Sequence, residues 1–284
     1  MSRPRGAARW RLLPLCLCAC VHTPRPTDHL FAEFTVQGHR GAAGLAPENT
    51  LPAFHAAAAL GVGFELDTQL SADGVAVVFH DDDLTRLTGT AGTVAATPWS
   101  VLRDLEAGRH FDPRFAGTAI PTLAEVLERH GHAVVINVEI KADRDADVNA
   151  LADAVVEAIE REGLTTRVLV TSFSPFALEA VRARNPEIRR GQIYMNYGRD
   201  SGLRPLERLL LRKLAFNRRA RPDVLSVHHP MVDADYLDRM HRRGYRVFAW
   251  TVNEPTRMRE LLELGVDGII TDRPDVLLAL TRGR

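Results

Sequence analysis

Short apolar runs alternate with helix-patterned stretches along this chain, always strand first, and that order leaves few folds open. The strand-like runs are 35–40, 63–70, 134–141, 167–173, 191–195, 223–228, 246–252 and 267–271. Helical patterns follow them, most clearly DVNALADAVVEAIEREG at 147–163 and EPTRMRELLELG at 254–265. Eight β-then-α units, near the ~250 residues typical of such folds, predict an α/β protein of the (β/α)8 TIM-barrel type. A doubly wound open sheet is the runner-up, but no Gly-x-Gly-x-x-Gly loop follows the first run. One run is left over. VAVVFH at 75–80 returns from the second strand, and with 81–121 it predicts a small insertion after that strand.

The return is part of FELDTQLSADGVAVVFHDDD at 64–83. Asp73-Gly74 reads as a two-residue turn, because a type I′ turn needs φ > 0 at both central positions. That register sets Asp67 opposite His80 and Glu65 opposite Asp82. Opposed side chains share a face, so Glu65, Asp67, Gln69, Val78 and His80 are expected on one side. Leu66, Thr68, Val77 and Phe79 are expected on the other.

In a (β/α)8 barrel the chemistry sits at the C-terminal ends of the strands. There the sequence offers His39 and Arg40, then Glu65 and Asp67, then Asn137, Glu139 and Lys141 spaced by two, and Trp250. Three carboxylates without a thiolate suit a hard cation, Mg²⁺ or Ca²⁺. Arg40 and Lys141 suit phosphate oxygens. His39 and His80 then fit a general base and a general acid. The set reads as metal-assisted cleavage of a phosphoryl ester. Asn49 is expected to cap the first helix. Trp250 suits either barrel core or a wall against the substrate's organic part. His228 and His229 are adjacent on a strand and point oppositely, so only one can face the mouth. RPLERLLLRKLAFNRRARP, 204–222, reads as a barrel helix with a basic rim rather than a membrane-surface helix.

Lys+Arg and Asp+Glu both number 36, so the formal net charge is zero and a polyanion such as nucleic acid is a poor partner. The three cysteines, Cys16, Cys18 and Cys20, all lie in an N-terminal stretch with Arg3, Arg5, Arg9 and Arg11 ahead of a short apolar run. This is the pattern of a secretory leader. Leu17 to Cys20 resembles a lipoprotein cleavage box, which would anchor the chain to a membrane at Cys20 and place it outside the cytoplasm; an ordinary signal peptide or a disordered cytosolic tail is the alternative. Residues 1–34 are read as leader and linker, and 35–284 as the barrel.

Several blocks resemble the glycerophosphodiester phosphodiesterase family: HRGAAGLAPENTLPAF at 39–54, FELDTQLSADGVAVVFHDDDLTRLTG at 64–89, VEIK at 138–141, AWTVN at 249–253 and GVDGIITDRP at 265–274. The resemblance implies a (β/α)8 barrel with an insertion after its second strand. It also implies cleavage of glycerophosphodiesters to glycerol phosphate and an alcohol with a divalent cation. By motif, Glu65, Asp67 and Glu139 would bind the metal. His39 and His80 would be the acid/base pair, and Arg40 and Lys141 would hold the phosphate. The implied route is attack by the substrate glycerol's own hydroxyl, giving a cyclic phosphate that water opens. Two alternatives stand beside it. A lysophospholipase D-like enzyme would need an apolar cavity beside the mouth. A lipoprotein that only binds phosphodiesters would not need two histidines and three acids together.

Overall fold

The structure, a computed structural model, describes residues 24–25, 35–142, 147–196 and 214–282. The expected leader and Cys20 lie outside the described residues, as does 204–213 of the basic segment.

Eight parallel strands close into a barrel: β1 (Thr35–Gly38), β2 (Gly63–Leu70), β4 (Ile136–Ile140), β5 (Val168–Ser172), β6 (Arg189–Tyr194), β7 (Val224–His228), β8 (Arg246–Trp250) and β9 (Gly268–Thr271). Closure comes from β1, which pairs with β9 on one edge and with β2 on the other. The antiparallel β3 (Ala76–Val78) extends the sheet beside β2. Among the described residues the outer helices are α1 (Leu51–Ala59), α4 (Leu123–His130), α5 (Val148–Arg161), α6 (Pro175–Arg184), α7 (Asn217–Ala220), α8 (Ala234–His241), α9 (Pro255–Leu264) and α10 (Pro274–Thr281). Short helices α2 (Thr85–Thr88) and α3 (Trp99–Leu102) belong to the insertion.

Alternation along each strand sorts the side chains. Phe64, Leu66, Val138, Ile140, Val168 and Val170 point outward into the layer shared with Phe54, Leu127, Leu151 and Val155 of the helices. Fully burying a side chain of this kind contributes ~1.5–3 kcal/mol, so this layer supplies most of the fold's driving force. Helix α5 shows how the pattern works: Leu151, Ala152, Val155, Val156 and Ile159 recur at helical spacing and are buried, while Asp147 caps the first turn through Asn149 N and Ala150 N. The inward positions are different. Leu169, Val224 and Phe248, with Val135, plug the interior. A polar layer also lines the interior: Asn137 Nδ2 donates to Gln37 Oε1 at 3.1 Å, and Thr171 Oγ1 to Asn137 Oδ1 at 2.9 Å.

Strand β2 outgrows the barrel. Its first residues pair with β1, and its last three pair with β3 on that same edge, because β4 holds the other. The hairpin register differs from the expected one. Thr68 pairs with Val78, Gln69 with Val77 and Leu70 with Ala76, so Asp67 does not oppose His80. The loop is three residues long, closed by Ser71 N to Val75 O (2.9 Å) and Gly74 N to Ser71 O (3.0 Å), with Gly74 in the left-handed region at φ 83°. One extra loop residue moves every β3 side chain to the other face. Val77 and Phe79 therefore pack with Leu84, Leu87, Val94, Leu102 and Ile120 in the insertion's own small core. Val78 joins the main core instead.

Candidate active site

The loop from β1 to α1 is folded back on itself: Arg40 O accepts from Asn49 N at 3.0 Å. Gly41, at φ 88°, is forced by crowding, since a Cβ there would lie 2.7 Å from Ala53 of α1. Arg40 and Asn49 both take left-handed backbone, at φ 49° and 57°. This tight loop brings His39 and Arg40 over the end of β2, where Arg40 N donates to Glu65 Oε2 at 2.9 Å.

One cavity of about 630 Å³, measured with its open mouth, receives all eight residues singled out in the sequence: His39, Arg40, Glu65, Asp67, His80, Glu139, Lys141 and Trp250. Glu65, Asp67 and Glu139 are 5%, 2% and 9% exposed. Each of the three offers an oxygen within 4.8 Å of the others. Burial pushes the Glu65 carboxyl well up, and the Asp67 and Glu139 charges push it further. Burial, then the Asp67 charge, lifts Glu139 to about 7 against the pull of Lys141 and Arg40. Three acids crowded in this way favour a positive charge between them. Lys141 Nζ supplies part of it, 3.7 Å from Asp67 Oδ1 and 3.6 Å from Glu139 Oε1. An all-oxygen donor set of this size also fits a hard divalent cation.

His80 reaches the cavity by a route other than strand pairing. Beyond β3, Gln69 Nε2 donates to the carbonyls of Phe79, His80 and Asp81, at 3.0, 3.2 and 2.9 Å, and curls the chain over the mouth. Each histidine has its own carboxylate. His39 Nδ1 lies 2.7 Å from Asp272 Oδ1, and His80 Nδ1 lies 2.6 Å from Asp81 Oδ1. Both rings thereby leave Nε2 as the nitrogen available to a substrate. Burial pulls the His80 pKa down, Lys141 and Arg40 add to this, and the Asp67 charge opposes it. Asp272 is fixed in turn by Asn253, whose Nδ2 donates to Oδ2 and whose Oδ1 accepts from Asp272 N.

Asn49 is not the helix cap. Thr50 takes that position, and Asn49, 2% exposed, holds Asp67 with both ends of its amide. Its Nδ2 donates to Asp67 Oδ2 at 2.8 Å, and its Oδ1 accepts from Asp67 N at 3.2 Å. Asp272 was within reach of the strand-end rule, being the residue after β9; the Asn49 contact has no signal in local sequence. The rest of the cavity wall is Phe173, Ile193, Met195 and Ile270 beside Trp250, with Thr171, Ser226 and Asn137 between. The Phe173 and Trp250 rings meet edge to face at 5.6 Å. The His228 ring packs 5.3 Å from Trp250, and neither His228 nor His229 lines the cavity.

Fold and site together define a class: a (β/α)8-barrel enzyme that gathers acids, imidazoles and cationic side chains at the C-terminal mouth. The model of the Glycerophosphoryl diester phosphodiesterase family matches residues 39–276. The chain is 34% identical over 249 residues to a glycerophosphodiester phosphodiesterase of Caldanaerobacter subterraneus, covering 87% of this chain and 97% of that protein. A protein of the same description from Bacillus altitudinis is 31% identical over 242 residues, covering 84% and 94%. Among solved structures, a phosphodiesterase of Oleispira antarctica in complex with the product sn-glycerol-3-phosphate aligns with a TM-score of 0.75 at 30% identity, over 87% of this chain and 96% of that one. The chain belongs to the glycerophosphoryl diester phosphodiesterase family. It is accordingly an enzyme that hydrolyses phosphoric diesters.

Proposed function

We propose that this enzyme hydrolyses glycerophosphodiesters to sn-glycerol 3-phosphate and an alcohol, using a divalent cation, Ca²⁺ or Mg²⁺, held by Glu65, Asp67 and Glu139. The observation that carries the reading is the convergence of those acids with two carboxylate-backed histidines in one cavity. The similarity to a phosphodiesterase solved with sn-glycerol-3-phosphate supports the glycerol phosphate half of the substrate.

A cation held by Glu65, Asp67 and Glu139 would supply positive charge for the phosphoryl oxygens. Arg40 and Lys141 hold the phosphate from the side of the acids and keep the diester in line. His80, kept neutral by its surroundings, takes the proton from the glycerol hydroxyl that attacks phosphorus. His39, with the Asp272 carboxylate behind it, gives a proton to the departing alkoxide, so the alcohol leaves neutral. The cyclic phosphate is then opened by water, with His39 taking water's proton and His80 returning one to the glycerol oxygen. Trp250, with Phe173, forms the wall against which the organic parts of the substrate rest.

The test is turnover of glycerophosphocholine and lysophosphatidylcholine by purified protein with Ca²⁺, with Mg²⁺ and with EDTA. Metal-restored release of choline from glycerophosphocholine is expected. No turnover of any glycerophosphodiester with either metal overturns the reading. The lysolipid arm measures how far the apolar wall extends the substrate range. From the leader we also propose an extracytoplasmic location with lipidation at Cys20, which mass spectrometry of the mature N-terminus decides.

A further inference from the structure

The insertion contributes His80, yet its own core lies apart from the main one. Besides the Gln69 bonds, a run of charge-paired side chains ties it to the barrel at the mouth. Arg86 on α2 donates Nη1 to Glu48 Oε2 at 3.0 Å and Nη2 to Glu48 Oε1 at 2.7 Å. Its Nε donates to Asp81 Oδ2, and the other Asp81 oxygen holds His80 Nδ1. Glu48, in the loop before α1, also accepts from Arg40 Nη1 at 2.7 Å. The run His80–Asp81–Arg86–Glu48–Arg40 therefore begins and ends on side chains that line the cavity.

Stability accounts for only part of it. The Arg86 side chain is 47% exposed, and pairs that wet contribute only ~0–1 kcal/mol, although Glu48 itself is 16% exposed. Orientation accounts for the rest. Asp81 sits next to His80 in a loop, and a lone aspartate there has several rotamers. A bond from Arg86 Nε to the oxygen that His80 does not use holds that carboxylate in place, while both terminal nitrogens of Arg86 grip Glu48. Glu48 fixes one terminal nitrogen of Arg40 by a hydrogen bond, while Nε is ion-paired with Asp67 Oδ2 at 3.4 Å without a hydrogen bond. We propose that Glu48 and Arg86 are positioning residues that act as one brace, holding His80 and Arg40 in their working orientations and making the docked insertion part of the catalytic apparatus. The proposal rests on the function proposed above for His80 and Arg40.

The experiment compares the full-length wild type with Arg86→Gln, Arg86→Lys, Glu48→Gln and the double variant Glu48→Gln/Arg86→Gln. It measures kcat and KM for glycerophosphocholine at saturating Mg²⁺, melting temperature, and the His80 ring tautomer by ¹⁵N NMR without substrate. Arg86→Gln should lower kcat ~10–100-fold, the range for residues that orient a reacting group, with KM nearly unchanged. Arg86→Lys should recover part of the loss, since it keeps the charge but not the fork. Glu48→Gln should also raise KM, because Arg40 loses its anchor. The double variant should be no worse than the poorer single one. Melting temperatures should move by less than about 4 °C. The wild type should show one Nδ1–H tautomer at His80, and Arg86→Gln a mixture. Folded Arg86→Gln with wild-type kcat, an additive double variant, or an unchanged His80 tautomer overturns the brace. A wild type that turns over no glycerophosphodiester sinks the functional reading instead, and the tautomer measurement then decides the brace alone.

Discussion

Two halves of the barrel mouth are built on different principles. The half formed by β1, β2, β4 and the insertion carries His39, Arg40, Glu65, Asp67, His80, Glu139 and Lys141. Polar partners fix most of these side chains: Asn49 on Asp67, Asp272 on His39, Asp81 on His80, Glu48 on Arg40. The half formed by β5, β6 and β8 carries Phe173, Ile193, Met195 and Trp250, held by ring contacts and packing. Buried charge left unpaired is costly, so the first half is constrained in every direction. An apolar wall is non-directional and discriminates between ligands by only ~1–3 kcal/mol per methylene. Chemistry is assigned to the constrained half and choice of alcohol to the permissive one.

The sharpest way to break this contrast is at a histidine. His39→Ala should lower kcat ~10²–10⁴-fold, the usual share of a general acid, while calorimetry with glycerol 3-phosphate still shows binding. Equal loss of binding and turnover would make His39 structural and erase the division of labour. Asn49→Ala comes next. It should weaken Mg²⁺ or Ca²⁺ by ~10–100-fold, as for other residues that orient a metal ligand, read from activity against metal concentration. An unchanged metal requirement would show that Asp67 needs no orienting partner. On the other half, Trp250→Ala should raise KM by ~10-fold through the lost wall, the scale of a ~1–2 kcal/mol contact, with little change in kcat. It should also shift the preference among glycerophosphocholine, glycerophosphoethanolamine and glycerophosphoglycerol. A fall in kcat with constant KM would move Trp250 into the chemical half.

The smallest expected effect concerns pH and stability of the metal-free protein. Glu65 and Glu139 both titrate above the ordinary 4.5 when folded. The folded state then binds more protons than the unfolded one, so stability falls as pH rises from about 4.5 through the raised values. Glu48 has the opposite sign. Burial opposes the shift, but hydrogen bonds from Arg86 and the Arg40 and Arg86 charges hold it at about 2, so its contribution is present above 4.5 and lost only as pH falls toward 2. His80, His130, His228 and His229, pulled below 6.5 by burial, also act with the sign opposite to Glu65 and Glu139 in the lower part of the range. Melting scans with EDTA should therefore slope downward above about pH 7, where those imidazoles are neutral in both states, and a divalent cation should flatten the slope. A flat EDTA profile would mean that the acids are already neutralised by Lys141 and Arg40.

Much of this was legible in the sequence. The eight strand-like runs correspond to β1, β2 and β4 to β9, because each apolar strand needs an amphipathic helix beside it to cover its outer face. The strand-end rule brought His39, Glu65, Asp67, Glu139, Lys141 and Trp250 into one cavity. His80 arrived there for a reason the sequence reading did not contain. The predicted pairing with Asp67 failed by one residue, and Gln69 delivered the ring through three carbonyl contacts instead. Asn49 was mistaken for a cap because Asn before a helix is a local signal, whereas its bond to Asp67 spans 18 residues of chain.

The sequence by itself determined the order of strands and helices, which residues of the amphipathic helices face the core, and which chemistry-bearing side chains stand at strand ends, since all of these follow from local periodicity and residue type. The tertiary structure decided closure of β1 onto β2, the length of the hairpin loop, and the partners of the reacting groups: Asn49, Asp272 with Asn253, and Glu48 with Arg86. Those depend on pairing across long stretches of chain, where a shift of one residue or a left-handed backbone at Arg40 re-aims a side chain without leaving any trace in the local pattern.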